Sequence, residues 1–143
     1  VKLPLTPAGY CAAARIAALG IPTNFTLGFS ARQNYLAALL SRPTYVNVFL
    51  GRLNAVVSEN KLGDGKYVGE KTALASQAAV RQLRDEHGDV PTRQIAASMR
   101  GGDQMVALAG VDVFTVPPKA MREFLAAGHD PAALRSGLDE RYE

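Results

Sequence analysis

The chain predicts an α/β protein in which a parallel sheet is covered by helices. Three observations carry this. Short apolar runs alternate with helical patterns about five times, at spacings of roughly 20 to 45 residues. No hairpin signal joins neighbouring runs, so the strands they predict are read as parallel. Polar residues stand at or near the carboxyl ends of those runs: Lys2, Asn24, Thr26, Asn47, Arg52, Ser98 and Arg100. Two closures fit the alternation, an open doubly wound sheet and a portion of a (β/α)₈ barrel. No Gly-rich fingerprint follows the first strand, which counts against a dinucleotide-binding sheet. The polar clustering counts for the barrel, which keeps its active site at the carboxyl ends of its strands.

Taken in order, Val1-Lys2-Leu3-Pro4-Leu5-Thr6 reads as the end of a buried strand with one amine on the wrong side of a core. Burial lowers a lysine pKa and equips the amine to attack a carbonyl and form a Schiff base. A lysine two residues from a chain start is ordinarily solvated, and it is the rest of the sequence that reverses this weight. Thr6 caps a helix with Pro7 at its first position, running from Ala8 to Leu19 and stopped by Gly20. Cys11, in its alanine-rich run, is read as a small core residue. The segment from Ile21 to Leu27 is a strand with Asn24 and Thr26 on one face and Phe25 and Leu27 on the other. Ser30 caps a helix from Ala31 to about Leu40.

Thr44 to Phe49 is the third strand, with Asn47 and Phe49 on one face and Arg52 just past its end. Asn60 to Gly69, rich in glycine and charge, is a loop. Thr72 to Glu86 is the longest helical pattern, and His87 at its end suits the negative helix terminus. Arg93 to Ser98 is a strand, Asp103 to Ala109 a helix, Val111 to Val116 a strand ended by Pro117-Pro118, and Lys119 to Ala127 a helix. The tail from Pro131 predicts one or two short helical turns. His129 lies in a turn.

Composition narrows the class. With 143 residues, 48% apolar and 20% charged, the chain predicts one globular domain spanning 1–143. Its +3 charge comes from scattered basic residues that form no run, so nucleic acid is not an expected partner and phosphorylated small molecules are. One cysteine excludes an internal disulfide and a cysteine-built metal site, and suits a reducing compartment. No apolar run spans a membrane and no signal-peptide pattern is present.

With these residues in view, the chain resembles the transaldolases, the Schiff-base aldolases of the pentose phosphate pathway, whose near relatives are the fructose 6-phosphate aldolases. Val1-Lys2-Leu3-Pro4-Leu5-Thr6 is similar to the family's fourth strand, which carries the Schiff-base lysine. Gly20-Ile21-Pro22-Thr23-Asn24-Phe25-Thr26-Leu27, with Phe29-Ser30 and Gln33, resembles the fifth strand. Val46-Asn47-Val48-Phe49-Leu50-Gly51-Arg52 resembles the sixth, which ends in a phosphate-binding arginine. Ala97-Ser98-Met99-Arg100 resembles the seventh-strand phosphate motif. Two positions depart: Asn47-Val48 replaces the usual Ser-Pro, and Met99 the usual Phe. The resemblance implies a (β/α)₈ TIM barrel, with this chain matching the part from strand 4 to the C-terminus. Three βα units, carrying an Asp and a Glu, are then expected to precede Val1.

The resemblance also implies an activity. A cytoplasmic transaldolase would transfer a dihydroxyacetone unit from sedoheptulose 7-phosphate or fructose 6-phosphate to an aldose phosphate, without cofactor or metal. Lys2 would form the Schiff base, Thr26 would hold a catalytic water and Asn24 would bind the triose unit. Arg52, Arg100 and Ser98 would clamp the phosphate, with Asn47 and Phe49 beside the substrate. Phe49 favours transfer over simple cleavage, since the aldolases carry Tyr there. The implied partners are sugar phosphates, with no nucleic acid or membrane, and either a second copy of the chain or the N-terminal portion. The competing expectations are a fructose 6-phosphate aldolase, or a non-catalytic homologue or fragment that binds sugar phosphate or assembles with a partner. Glu70 and Asp112 are the nearest carboxylates on paper, and both are read as surface residues.

Overall fold

The computed structural model describes residues 1–139. Five short strands form one sheet: β1 (Lys2–Pro4), β2 (Asn24–Thr26), β3 (Tyr45–Phe49), β4 (Arg93–Ala97) and β5 (Val113–Phe114). All neighbouring pairs are parallel and the spatial order is the chain order. A doubly wound sheet reverses its strand order at a switch point, and this one never does. It winds in one direction, with β1 paired to β2 alone and β5 to β4 alone among the described residues.

Six helices connect and follow the strands: α1 (Pro7–Ala18), α2 (Ala31–Ser41), α3 (Leu50–Glu59), α4 (Val68–Glu86), α5 (Asp103–Ala107) and α6 (Pro118–Ala126). Short 3₁₀ turns at Pro131–Ala133 and Gly137–Asp139 match the expected tail, and the last four residues lie outside the described region. None of these helices is long and apolar enough to cross a membrane. The expected caps form: Thr6 Oγ1 accepts the Gly9 N–H, Ser30 Oγ accepts the Arg32 N–H, and His87 closes α4.

One sheet face carries the core. Phe25 and Val46 pack with Ala13 of α1, Ala37 and Ala38 of α2, and Val80 and Leu83 of α4. Further along, Val48 and Ala96 meet Ala73 and Leu74 of α4 and Leu108 after α5. Because side chains alternate along a strand, Lys2, Asn24, Thr26, Tyr45, Asn47 and Phe49 occupy the opposite face.

A buried polar network also lies on the helix side. Asn34, fully buried, donates from Nδ2 to Asn47 O, Ser76 Oγ and Gln94 Oε1. Arg84 forms a two-pronged pair with Asp112, at 2.7 and 3.2 Å, and Asp112 also accepts the Gln94 N–H.

Several expectations change. The segment after β3 is helix α3, where Leu50, Leu53 and Val57 follow helical spacing. Helix α4 begins at Val68, inside the segment read as loop. Leu27 does not share the buried face with Phe25: β2 ends at Thr26, and Leu27 takes a left-handed φ of 62° and is 49% exposed. Cys11 is exposed, because α1 buries Gly9 and Ala13, one turn apart, and a residue two positions from each faces away. Glu70 and Asp112 are not surface residues: Glu70 is 3% exposed and Asp112 half-buried.

For Asp112, partial burial opposes the charged carboxylate, but Arg84, the Gln94 N–H and Gln77 outweigh it and hold the carboxyl below its ordinary value. A depressed folded pKa adds stability above about pH 4, which is lost as pH falls through the folded value. Asp112→Asn is expected to cost about 1–2 kcal/mol at pH 7, discounted for partial solvent access. Urea unfolding should show the gap from the unsubstituted chain closing as pH drops below about 4; a pH-independent gap would contradict this.

Candidate active site on the open face of the sheet

The parallel register assembles the first half of the site. Lys2 pairs with Asn24, Pro4 with Thr26, and Asn24 with Tyr45; contrary to the expectation of carboxyl ends, Lys2 and Asn24 are the first residues of β1 and β2, and only Thr26 closes its strand. Continuing that register two residues sets Thr26 beside Asn47, which in turn pairs with Ile95. Asn47 is 2% exposed and donates from Nδ2 to Asn24 Oδ1 at 3.3 Å. That contact occupies the Asn24 carbonyl and leaves its amide N–H groups available. Asn47 Oδ1 has no partner among the described residues.

Lys2 is exposed, contrary to the buried lysine expected, and its amine makes no hydrogen bond or ion pair among the described residues. β1 is an edge strand, and burial of a side chain on this face needs strands across from it. The helices lie on the other side.

The second half is built by backbone close approach. β3 runs directly into α3, which has Phe49 at its N-cap and no side-chain cap. Phe49 sits edge-on to Phe29, with ring centroids 6.2 Å apart, and donates its N–H to Gly28 O. Arg52 therefore lies in the first turn of α3. β4 ends at Ala97, and Ser98 follows in a left-handed conformation with φ 65°, a strained choice for a residue with a Cβ.

The Ser98 carbonyl and the Arg100 side chain then rest on Gly51: an ideal Cβ there would lie 2.2 Å from Ser98 O and 2.9 Å from Arg100 Cγ. Arg100 thus packs on the residue that precedes Arg52; both arginines are exposed, and neither guanidinium has a partner among the described residues. Arg84 and Arg42, by contrast, are paired with Asp112 and Asp89.

Sequence reasoning missed Asn54, Glu70 and Gln104, which lie buried or half-buried behind the two arginines. Glu70 was noticed as a carboxylate but read as a surface residue, and for Asn54 the only signal was the helical spacing after Leu50. A cavity of about 560 Å³ opens on the helix side of this cluster, against Tyr67, Glu70, Gln104 and Phe124, away from the lysine face. Among the described residues no group of three His, Cys, Asp or Glu is placed to hold a metal ion.

Fold and site together define a singly wound α/β sheet with a polar open face and a basic pair at its carboxyl edge. The chain belongs to the transaldolase/fructose-6-phosphate aldolase family, whose profile matches residues 1–141. The transaldolase of Chlamydia trachomatis serovar D is 33% identical over 140 residues, 98% of this chain and 42% of its own length. A probable transaldolase of Maricaulis maris is 40% identical over 125 residues, covering 85% of this chain and 50% of that protein. One from Exiguobacterium sibiricum is 40% identical over 119 residues, 82% and 48% of the two chains. The chain spans about half the length of these curated relatives.

Gly51→Ala is expected to lower stability by about 2 kcal/mol, because the contacted carbonyl cannot yield as a flexible side chain would. Gly63, whose added Cβ would meet only Val57 at 3.5 Å, is the control; thermal unfolding of Gly63→Ala should stay within about 0.5 kcal/mol of the parent.

Proposed function

We propose that this chain is the carboxyl-terminal part of a transaldolase-type barrel, its five strands corresponding to the fourth to eighth of eight. The reaction is transfer of a dihydroxyacetone unit between sugar phosphates through a Schiff base on Lys2. The observation that carries this is the pairing of Lys2 with Asn24 on the open face, with Arg52 just past β3 and Arg100 just past β4, both without a partner among the described residues.

In this reading the Lys2 amine adds to the C2 carbonyl of a ketose phosphate, and water leaves to give an iminium. The iminium draws electrons from the C3–C4 bond, which breaks as the C4 hydroxyl loses its proton and becomes the departing aldehyde. The enamine left on Lys2 attacks an acceptor aldehyde, and hydrolysis frees the product. Asn24, its carbonyl held by Asn47, offers N–H donors to the triose unit. Thr26 holds the water that relays protons. Arg52 and Arg100, with the Ser98 hydroxyl and the uncapped start of α3, take the substrate phosphate; the guanidinium fork and helix N–H groups suit that anion. Phe49, with no hydroxyl, favours transfer over cleavage to free products. A cytoplasmic location and a role in sugar-phosphate interconversion belong to the same reading.

A second reading, sugar-phosphate binding without turnover, is favoured by the exposure of Lys2, since a solvated amine lacks the desolvation that activates a buried one.

Intact mass after borohydride treatment with fructose 6-phosphate, on the chain and on Lys2→Ala, separates the two. A gain of dihydroxyacetone size, lost in Lys2→Ala, is the expected result. A gain of the whole sugar would mean imine formation without the proton relay. No adduct on the folded chain would leave binding alone. Arg52→Ala and Arg100→Ala should each cut trapping at limiting fructose 6-phosphate by about tenfold, and leave trapping by unphosphorylated dihydroxyacetone unchanged.

A further inference from the structure

Glu70 is a carboxylate at 3% exposure, three positions into α4, and it makes no ion pair among the described residues. Its oxygens are engaged by two amides on different elements. Oε2 accepts from Asn54 Nδ2 at 2.9 Å, and Oε1 accepts from Gln104 Nε2 at 2.5 Å. Asn54 lies in α3, two residues beyond Arg52. Gln104, 7% exposed, turns its own Oε1 to the backbone N–H of Arg100 at 2.6 Å and of Gly101 at 3.4 Å. Another side-chain anchor of that loop is Glu123 Oε2, which accepts the Gly102 N–H at 3.1 Å.

The polarity of this chain of bonds is forced. The Arg100 N–H can only donate, so Gln104 must meet it with oxygen and present nitrogen to Glu70. The Gly69 N–H donates to Asn54 Oδ1 at 2.6 Å, so Asn54 also presents nitrogen. Two donors converge on one buried point, and an ionised carboxyl, which only accepts, satisfies both. Resting on the reading of Arg52 and Arg100 as an anion clamp, we propose that Glu70 is the positioning residue of that clamp. Through Asn54 and Gln104 it holds α3 and the β4–α5 loop at one spacing, so that Arg52 on the helix and Arg100 on the loop keep one relation to a phosphate.

Glu70→Gln tests this, because it puts an N–H against one of the two amide donors at nearly constant volume. The double variant Glu70→Gln with Gln104→Glu restores every donor–acceptor match and the net charge: residue 104 then accepts from both the Arg100 N–H and the residue 70 amide. Binding of inorganic phosphate to the full chain is titrated calorimetrically, with thermal unfolding followed in parallel. Glu70→Gln is expected to weaken phosphate binding by about tenfold or more, and the double variant to return within about threefold of the parent. Should Glu70→Gln not fold, Gln104→Ala, which opens the link on the loop side alone, must show the loss instead.

Parent-like affinity in Glu70→Gln, or in a folded Gln104→Ala, overturns the role of Glu70 while leaving the arginine clamp standing. A folded double variant that stays weak also overturns it. No phosphate affinity in the parent chain overturns the clamp itself, and the role of Glu70 with it.

Discussion

Parallel register between three short strands is the constraint on which the rest depends. β1 and β2 are held by few backbone bonds, among them Asn24 N–H to Val1 O at 2.8 Å and Leu5 N–H to Thr26 O at 3.0 Å. Because the side-chain period is two, a slip of one residue would turn Lys2 toward the helices and Leu3 toward solvent. The fully buried Phe25, with Val46 and Val48 on the next strand, makes that slip expensive: each large side chain moved out of the core forfeits about 1.5–3 kcal/mol. The apolar face therefore fixes where the polar face points. Packing on one side of the sheet sets the chemistry on the other.

That coupling runs through polar atoms as well. Asn34 reaches from α2 to the backbone carbonyl of Asn47, the residue that grips Asn24 on the opposite face. The strand is thus held from both sides at one residue. The Asn47 amide has both donor and acceptor, so it reaches Asn24 and keeps a buried oxygen, Oδ1, with no partner among the described residues, an atom costly to leave unmatched.

Much of the fold was legible. The helix starts at Thr6-Pro7 and Ser30 are local devices, satisfied within three residues, and they formed as read. The alternation of strand and helix was also visible, because each run carries its own periodicity. α3 was readable too, from Leu50, Leu53 and Val57, but the strong β pattern before it and the glycines after it drew the boundary elsewhere. For the site, the placing of Ser98 and Arg100 just past a strand was legible, whereas Lys2 and Asn24 open β1 and β2 rather than close them. The partners of Glu70 were not: Asn54 and Gln104 lie 16 and 34 residues from it, and no local pattern encodes a contact across such separations.

The sequence by itself determined the α/β class, the alternation of Asn24 with Phe25 and of Asn47 with its neighbours, and the identity of the groups available for chemistry, since alternation and capping act over a few residues. Only the tertiary structure decided that Lys2 is exposed and that Cys11 faces outward. It alone made Asp112 an ion-pair partner of Arg84, 28 residues away, and laid the Arg100 side chain on Gly51. The reason is that burial and pairing are properties of what lies across from a side chain, and what lies across is supplied by other elements of the fold.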